Sequence, residues 1–122
     1  MALHVAWVAV DSKDPEALAR FWSEVLNFEI VDSSPEEVLA RPRGGLGPNV
    51  IFLKVPDDKV VKNRLHFDLR PVDQEAEVSR VLGLGATHVD IGQGDVTWVV
   101  LADPEGNEFC ILRALEPGKK GP

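Results

Sequence analysis

His66 and Asp68 stand two apart in the alternating run Arg64 to Arg70. Side chains alternate across a strand, so a strand there puts both on one face. A carboxylate beside an imidazole can orient it as a general base, which makes His66 and Asp68 candidate catalytic residues. The plainer alternative is a histidine satisfied by its neighbour in a polar pocket floor. Cys110 and Glu108 have the same two-residue spacing further along. Cys110 with His66 would make a nucleophilic pair. Most lone cysteines are instead inert and buried, and a reactive thiol needs an electropositive niche that Glu108 does not provide. Trp7, Phe52 and Trp98 could stack on a planar ligand, with Lys54 nearby, although Trp98 could equally be core. Gly44, Gly45 and Gly47 lack the following Lys-Ser/Thr and the strand-to-helix setting of a phosphate loop, and read as a mobile flap. His88 has no partner that the sequence identifies. Lys59, Lys62 and Arg64 read as a solvated loop.

The elements that must position these groups alternate in period. Leu3 to Val10 is a mostly apolar run and reads as a strand. Asp14 is a good N-cap, Pro15 suits the first helical position and Glu16 suits the positive helix start. Ala17, Phe21 and Val25, with Leu18 and Trp22, give the helix a broad apolar stripe, and Asn27 can close it in a left-handed conformation. Phe28 to Val31, Val38 to Ala40 and Asn49 to Val55 read as strands, and Arg41 to Pro48 as a loop. After the connection Pro56 to Asn63 the order repeats. Arg64 to Arg70 is a strand, Asp73 caps a helix through Leu84, and Gly85 stops it. Ala86 to Ile91, Thr97 to Ala102 and Asn107 to Arg113 are strands, with a turn at Asp103-Pro104-Glu105-Gly106. Asp14-Pro15-Glu16-Ala17 echoes Asp73-Gln74-Glu75-Ala76. A repeated βαβββ unit predicts a duplicated α+β fold.

Composition bounds the function. The chain has 122 residues, 44% hydrophobic and 27% charged, as an ordinary folded domain does. No apolar run reaches the roughly 20 residues that span a bilayer, and no signal-peptide pattern opens the chain. The net charge of −7 is the wrong sign for binding nucleic acid or an anionic membrane. One cysteine excludes an internal disulfide and a multi-cysteine zinc site. A cytoplasmic protein is expected.

Splitting each strand by face predicts an apolar side under the helices: Val8 and Val10, Ile51 and Leu53, Leu65, Phe67 and Leu69, Phe109 and Ile111. The other side would carry Trp7, Phe52, Lys54, His66, Asp68, Glu108 and Cys110. An open sheet would leave that side wet. A curled one would make it a pocket with aromatic walls, which Trp7 and Phe52 favour.

Several stretches together resemble the glyoxalase-like branch of the vicinal oxygen chelate superfamily, which includes glyoxalases, bleomycin resistance proteins and dioxygenases. They are Asp14 to Trp22, Lys62 to Leu69, Leu84-Gly85-Ala86-Thr87 and, most strongly, Trp98 to Cys110. The resemblance implies one domain over residues 1–113, with paired βαβββ modules forming a cupped mixed sheet and helices on the outer face. Module 1 is about 1–55, the linker 56–63, module 2 about 64–113, and 114–122 a flexible tail. Metal-dependent members hold a divalent ion at points on the first, fourth, fifth and last strands. Those points fall here at Trp7, Phe52, His66 and Cys110. Two cannot ligate and a third has changed chemical type, so no metal or other cofactor is expected at the usual site, although Asp68 and Glu108 lie close enough on the chain to be considered. The implied function is binding of an aromatic or planar small molecule in the cup by Trp7, Phe52, Lys54, His66, Asp68, Trp98, Glu108 and Cys110. The alternative is a divalent-metal-dependent lyase, isomerase or dioxygenase using His66, or metal-free acid–base work by His66 and Asp68. A homodimer is expected, since related proteins pair and open sheets have edges to protect.

Overall fold

The computed structural model describes residues 3–118. The last part of the expected tail, residues 119–122, lies outside the described residues. The chain is α+β and divides into two compact units, one ending at Asp58 and one beginning at Lys59. Each carries a mixed four-stranded sheet and one helix.

In the first unit, β1 (Trp7–Ser12) leads to α1 (Pro15–Leu26), then β2 (Phe28–Ser33), β3 (Glu37–Pro42) and β4 (Asn49–Lys54). The sheet order is β1-β4-β3-β2, with β1 parallel to β4 and the other pairs antiparallel. The helix boundaries follow from the caps. The Asp14 side chain accepts a hydrogen bond from the Ala17 N–H at 3.1 Å, Pro15 opens the helix, and Asn27 closes it at φ 54°. Leu18, Ala19, Phe21 and Trp22 are buried, and Phe21 and Trp22 meet edge to face with ring centroids 5.2 Å apart. The helix packs on β2, β3 and β4. Val38, Ala40, Val50 and Phe52 form the buried side of the sheet. β1 begins at Trp7 rather than Leu3, because its parallel partner β4 begins at Asn49.

In the second unit, β5 (Asp68–Leu69) leads to α2 (Gln74–Leu84), β6 (Thr87–His88), β7 (Val99–Ala102) and β8 (Glu108–Ile111). The order is β5-β8-β7-β6, with β5 parallel to β8, which repeats the topology of the first unit. Asp73 caps α2 through the Ala76 N–H at 3.1 Å. Gly85 ends it at φ 122°, where a side chain would be strained and a Cβ would lie 3.4 Å from Pro104. Gln74 ties the helix start to the sheet by donating to the Thr97 and Ile111 carbonyls at 2.9 and 3.1 Å.

β7 and β8 lose two and three residues against expectation, and two other strands are cut to two residues each, for which side chains give the reason. The expected strand Arg64 to Arg70 survives only at Asp68–Leu69. Upstream, the Asn63 side chain takes the place of a strand: its Oδ1 accepts the Glu108 N–H at 3.0 Å and its Nδ2 donates to the Leu65 carbonyl. The backbone ladder starts only where the Cys110 N–H donates to the Phe67 carbonyl at 2.9 Å. Leu65, expected on the apolar side, is therefore exposed. The expected strand Ala86 to Ile91 stops at His88, followed by a turn in which Asp90 and Gln93 side chains accept from the Gly92 and Ile91 N–H groups, each at 2.8 Å.

Candidate functional site

The register decides which side chains share a face. In the second unit Asp68 lies opposite Cys110, Val100 opposite Cys110 from the other side, and Ala102 opposite Glu108. Directly opposed residues point to the same side of a sheet, and residues two apart on a strand agree. Asp68, Cys110 and Glu108 therefore share one face, and His66, just outside β5, reaches the same group through its contact with Asp68. Trp98 packs on that face against the cluster of Val100, Cys110 and Leu112. Phe109, Ile111, Leu101 and Leu69 take the other face, which α2 covers through Val81. Five of the eight expected ligand-binding residues are thus brought to one surface.

The other three belong to the first unit, where they fall on two faces of its sheet. Trp7 lies opposite Asn49, whereas Val8 and Val10 lie opposite Val50 and Phe52. Trp7 shares its face with Ala9, Ile51 and Leu53, and is 45% exposed. Phe52 points the opposite way, into the core with Val38, and is 1% exposed. Lys54 follows Phe52's parity at the exposed end of β4. The expectation that Phe52 and Lys54 share a surface with Trp7 is corrected. The cause is the β1–β4 register: Val50 to Leu53 is apolar at every position, so alternation could not say which residues face the helix.

On the polar face the His66 Nε2 is 3.2 Å from the Asp68 Oδ1, with the two side chains 38% and 44% exposed. Asp68 there favours a proton on Nε2, which leaves Nδ1 with a lone pair for a ligand. Cys110 beneath is buried, and burial, together with the charge and hydrogen bonding of Asp68, pushes its thiol up to about 11 against a weaker opposite pull from Lys62. That thiol is no nucleophile at neutral pH. One ligating atom each from His66, Asp68 and Cys110 fall within 4.8 Å of one another.

Sequence reasoning missed Lys59. The sequence suggests a solvated loop residue, yet its Nζ lies 2.8 Å from both carboxylate oxygens of Glu108, with side-chain exposures of only 19% and 10%. Burial pushes the Glu108 carboxyl up, but the Lys59 ammonium and the backbone and Asn63 hydrogen bonds outweigh it and hold the group below its usual range. The signal was Glu108 itself, an acid inside an apolar strand that had to find a cation. The 49-residue separation gave no local pattern.

The four-strand metal set implied by the resemblance does not fit these residues. Trp7 offers no donor at the first-strand point, and Phe52 is core. Ile51 and Leu53, which flank Phe52 and share Trp7's face, are apolar too. Only His66 and Cys110 remain of that set.

Comparison with known proteins agrees with the fold. A crystal structure of a glyoxalase/bleomycin resistance protein/dioxygenase family enzyme from Burkholderia phytofirmans superposes with a TM-score of 0.70 at 21% identity, covering 93% of this chain and all (100%) of that one. An oxidase, ChaP-H2, gives 0.67 at 17% identity over 99% and 100%. The bleomycin-binding protein of Streptomyces verticillus, solved with copper(II)-bleomycin, gives 0.62 at 15% identity over 94% and 99%. At these identities the likeness is one of fold. No curated protein matches the chain. The profile of the glyoxalase-like domain matches residues 7–112, and with the duplicated topology described above the chain belongs to the glyoxalase-like domain family.

Proposed function

We propose that the protein binds an aromatic or otherwise planar small molecule on the polar face of its second sheet, without the divalent centre usual in its superfamily. The observation that carries this reading is the register of β5, β8 and β7, which puts Asp68, Glu108 and Cys110 on one side, where His66 meets Asp68 and Trp98 packs by Cys110, while α2 packs on the other. A flat hydrophobic wall beside a few oriented polar groups is how small-molecule sites are commonly built. Trp98 supplies stacking area, His66 Nδ1 accepts a hydrogen bond, and the Lys59–Glu108 pair keeps the rim fixed.

The test is titration with bleomycin and with a panel of neutral and cationic planar aromatics, read by tryptophan fluorescence in the presence of a chelator. Saturable quenching that weakens in Trp98→Phe and His66→Ala supports the reading. A flat response across the panel, or quenching unchanged in both variants, contradicts it. A second reading is an enzyme of lyase, isomerase or dioxygenase type. It is favoured by the 3.2 Å His66–Asp68 contact, which suits acid–base work. A homodimer is also proposed, because β1, β2, β5 and β6 end their sheets, and sedimentation showing only monomer at micromolar concentration would oppose it.

A further inference from the structure

Residues 59–66 lead into β5 with no helix or strand of their own. Among the described residues no backbone-to-backbone hydrogen bond holds this stretch, and the ladder begins at Phe67, whose carbonyl accepts the Cys110 N–H at 2.9 Å. Its apolar side chains do not anchor it either, since Val60, Val61 and Leu65 are 86%, 77% and 89% exposed. What ties it to the sheet is one residue. Lys59 Nζ lies 2.8 Å from both Glu108 carboxylate oxygens. Asn63 Oδ1 accepts the Glu108 N–H at 3.0 Å, and Asn63 Nδ2 reaches the Glu108 carbonyl at 3.4 Å. Lys62 donates to its own neighbour, the Asn63 carbonyl, and His66 meets Asp68 two residues along the chain. The stretch also lies against the polar face: Lys59 covers the Glu108 carboxylate, and the Cys110 thiol feels the Lys62 charge.

We propose that residues 59–66 form a strap, latched at Glu108 by Lys59 and Asn63 and hinged at Phe67, which opens as a unit while the sheet stays folded and so uncovers the polar face. Segments held by few contacts open locally at far less cost than global unfolding. Here the cost is small for two reasons. Opening returns the ammonium, the carboxylate and the Asn63 amide to water, which offsets most of the lost attraction. No apolar side chain leaves a core, because those of the strap are already wet. Where the strap gates a ligand, the inference rests on the reading that a planar molecule binds this face. The latch then sets how fast that molecule enters and leaves, as lids do.

The experiment has two arms, both on the full-length protein. The first is native-state amide exchange of the wild type without ligand, at several low urea concentrations. The Glu108 N–H reports the latch, and the Leu112 N–H, which donates to the Leu69 carbonyl at 2.8 Å, reports the β5–β8 ladder. The proposal expects Glu108 to be less protected than Leu112 and nearly insensitive to urea, as an opening that exposes little surface is, while Leu112 exchange rises with urea. Equal protection with equal urea dependence overturns the strap. The second arm is stopped-flow tryptophan quenching by a neutral planar aromatic, which loss of the Lys59 charge does not steer. Lys59→Met should speed Glu108 exchange by roughly tenfold or more, and Lys59→Arg should not. The association rate in Lys59→Met should rise by the same factor as the exchange rate, since both follow the population of the open strap. Dissociation should rise with it, leaving Kd nearly unchanged, because the same latch closes over the bound ligand. An association rate equal in wild type and Lys59→Met, or a weaker Kd arising from dissociation alone, overturns the gate and leaves the ligand reading standing. Locally fast Glu108 exchange with no quenching by the aromatic removes the ligand reading and supports the strap.

Discussion

Cys110 and Glu108 are neighbours on one face of β8, yet their surroundings push them in opposite ways. The Cys110 thiol is raised to about 11 from 9.0, first by burial and then by Asp68. Its folded form therefore holds its proton where the unfolded chain loses it, and this group's contribution to stability falls as pH rises from about 9 to about 11. In metal-free protein near pH 8, by the same linkage, we predict slow alkylation of Cys110 that accelerates sharply in denaturant. Asp68→Asn removes the adjacent negative charge and should speed the native-state reaction, as a thiol-reagent time course would read. Glu108 is shifted down from 4.5, so its contribution is present above that value and is lost as pH falls through the lower folded value. Lys59→Met leaves the carboxylate poorly accompanied. We predict a loss of about 1–3 kcal/mol at neutral pH, shrinking in acid, by urea unfolding at several pH values.

At the scale of elements, the β1–β4 register makes Phe52 a core residue and Trp7 a surface one. Phe52→Ala should cost about 3–5 kcal/mol, because it opens a cavity beside Val38 under α1. Trp7→Ala should cost far less and leave the fold intact, so thermal melts of the two variants check the face assignment directly. The β7–β8 hairpin depends on Asp103, which is 3% exposed. Its Oδ1 accepts the Glu105 and Asn107 N–H groups at 2.9 Å, and the Asn107 side chain donates to both of its oxygens. Asp103→Ala leaves these donors without a partner at the turn, and a loss of about 2–3 kcal/mol is expected by the same melts. The helices were legible because their signals are local: an acid cap, a proline, an apolar stripe, and Asn27 or Gly85 at the end. The strand ends were not, because Asn63 and Asp90 compete for backbone groups through side chains that no two-residue alternation reveals. The face of β4 was hidden for a different reason. A strand apolar at every position carries no polarity signal, and only its partner β1 orients it.

Across the whole molecule the duplication was readable from the Asp14 and Asp73 repeats, and the topology repeats accordingly, β1-β4-β3-β2 and β5-β8-β7-β6. Among the described residues no helix is long and apolar enough to cross a membrane. The site was readable in part. His66, Asp68, Glu108 and Cys110 alternate with apolar residues in the sequence, so pattern sufficed to group them, whereas Lys59 could be found only by folding. With the four-strand metal set missing donors at Trp7 and Phe52, turnover of methylglyoxal with glutathione should not exceed background in a spectrophotometric assay. The account stands most directly on where a ligand touches the chain. Amide chemical-shift mapping with the tightest-binding member of the aromatic panel should perturb residues around His66 to Asp68, Trp98 to Val100 and Glu108 to Leu112. Perturbations confined to β2 and β3, or to the exposed face of α2, would contradict it.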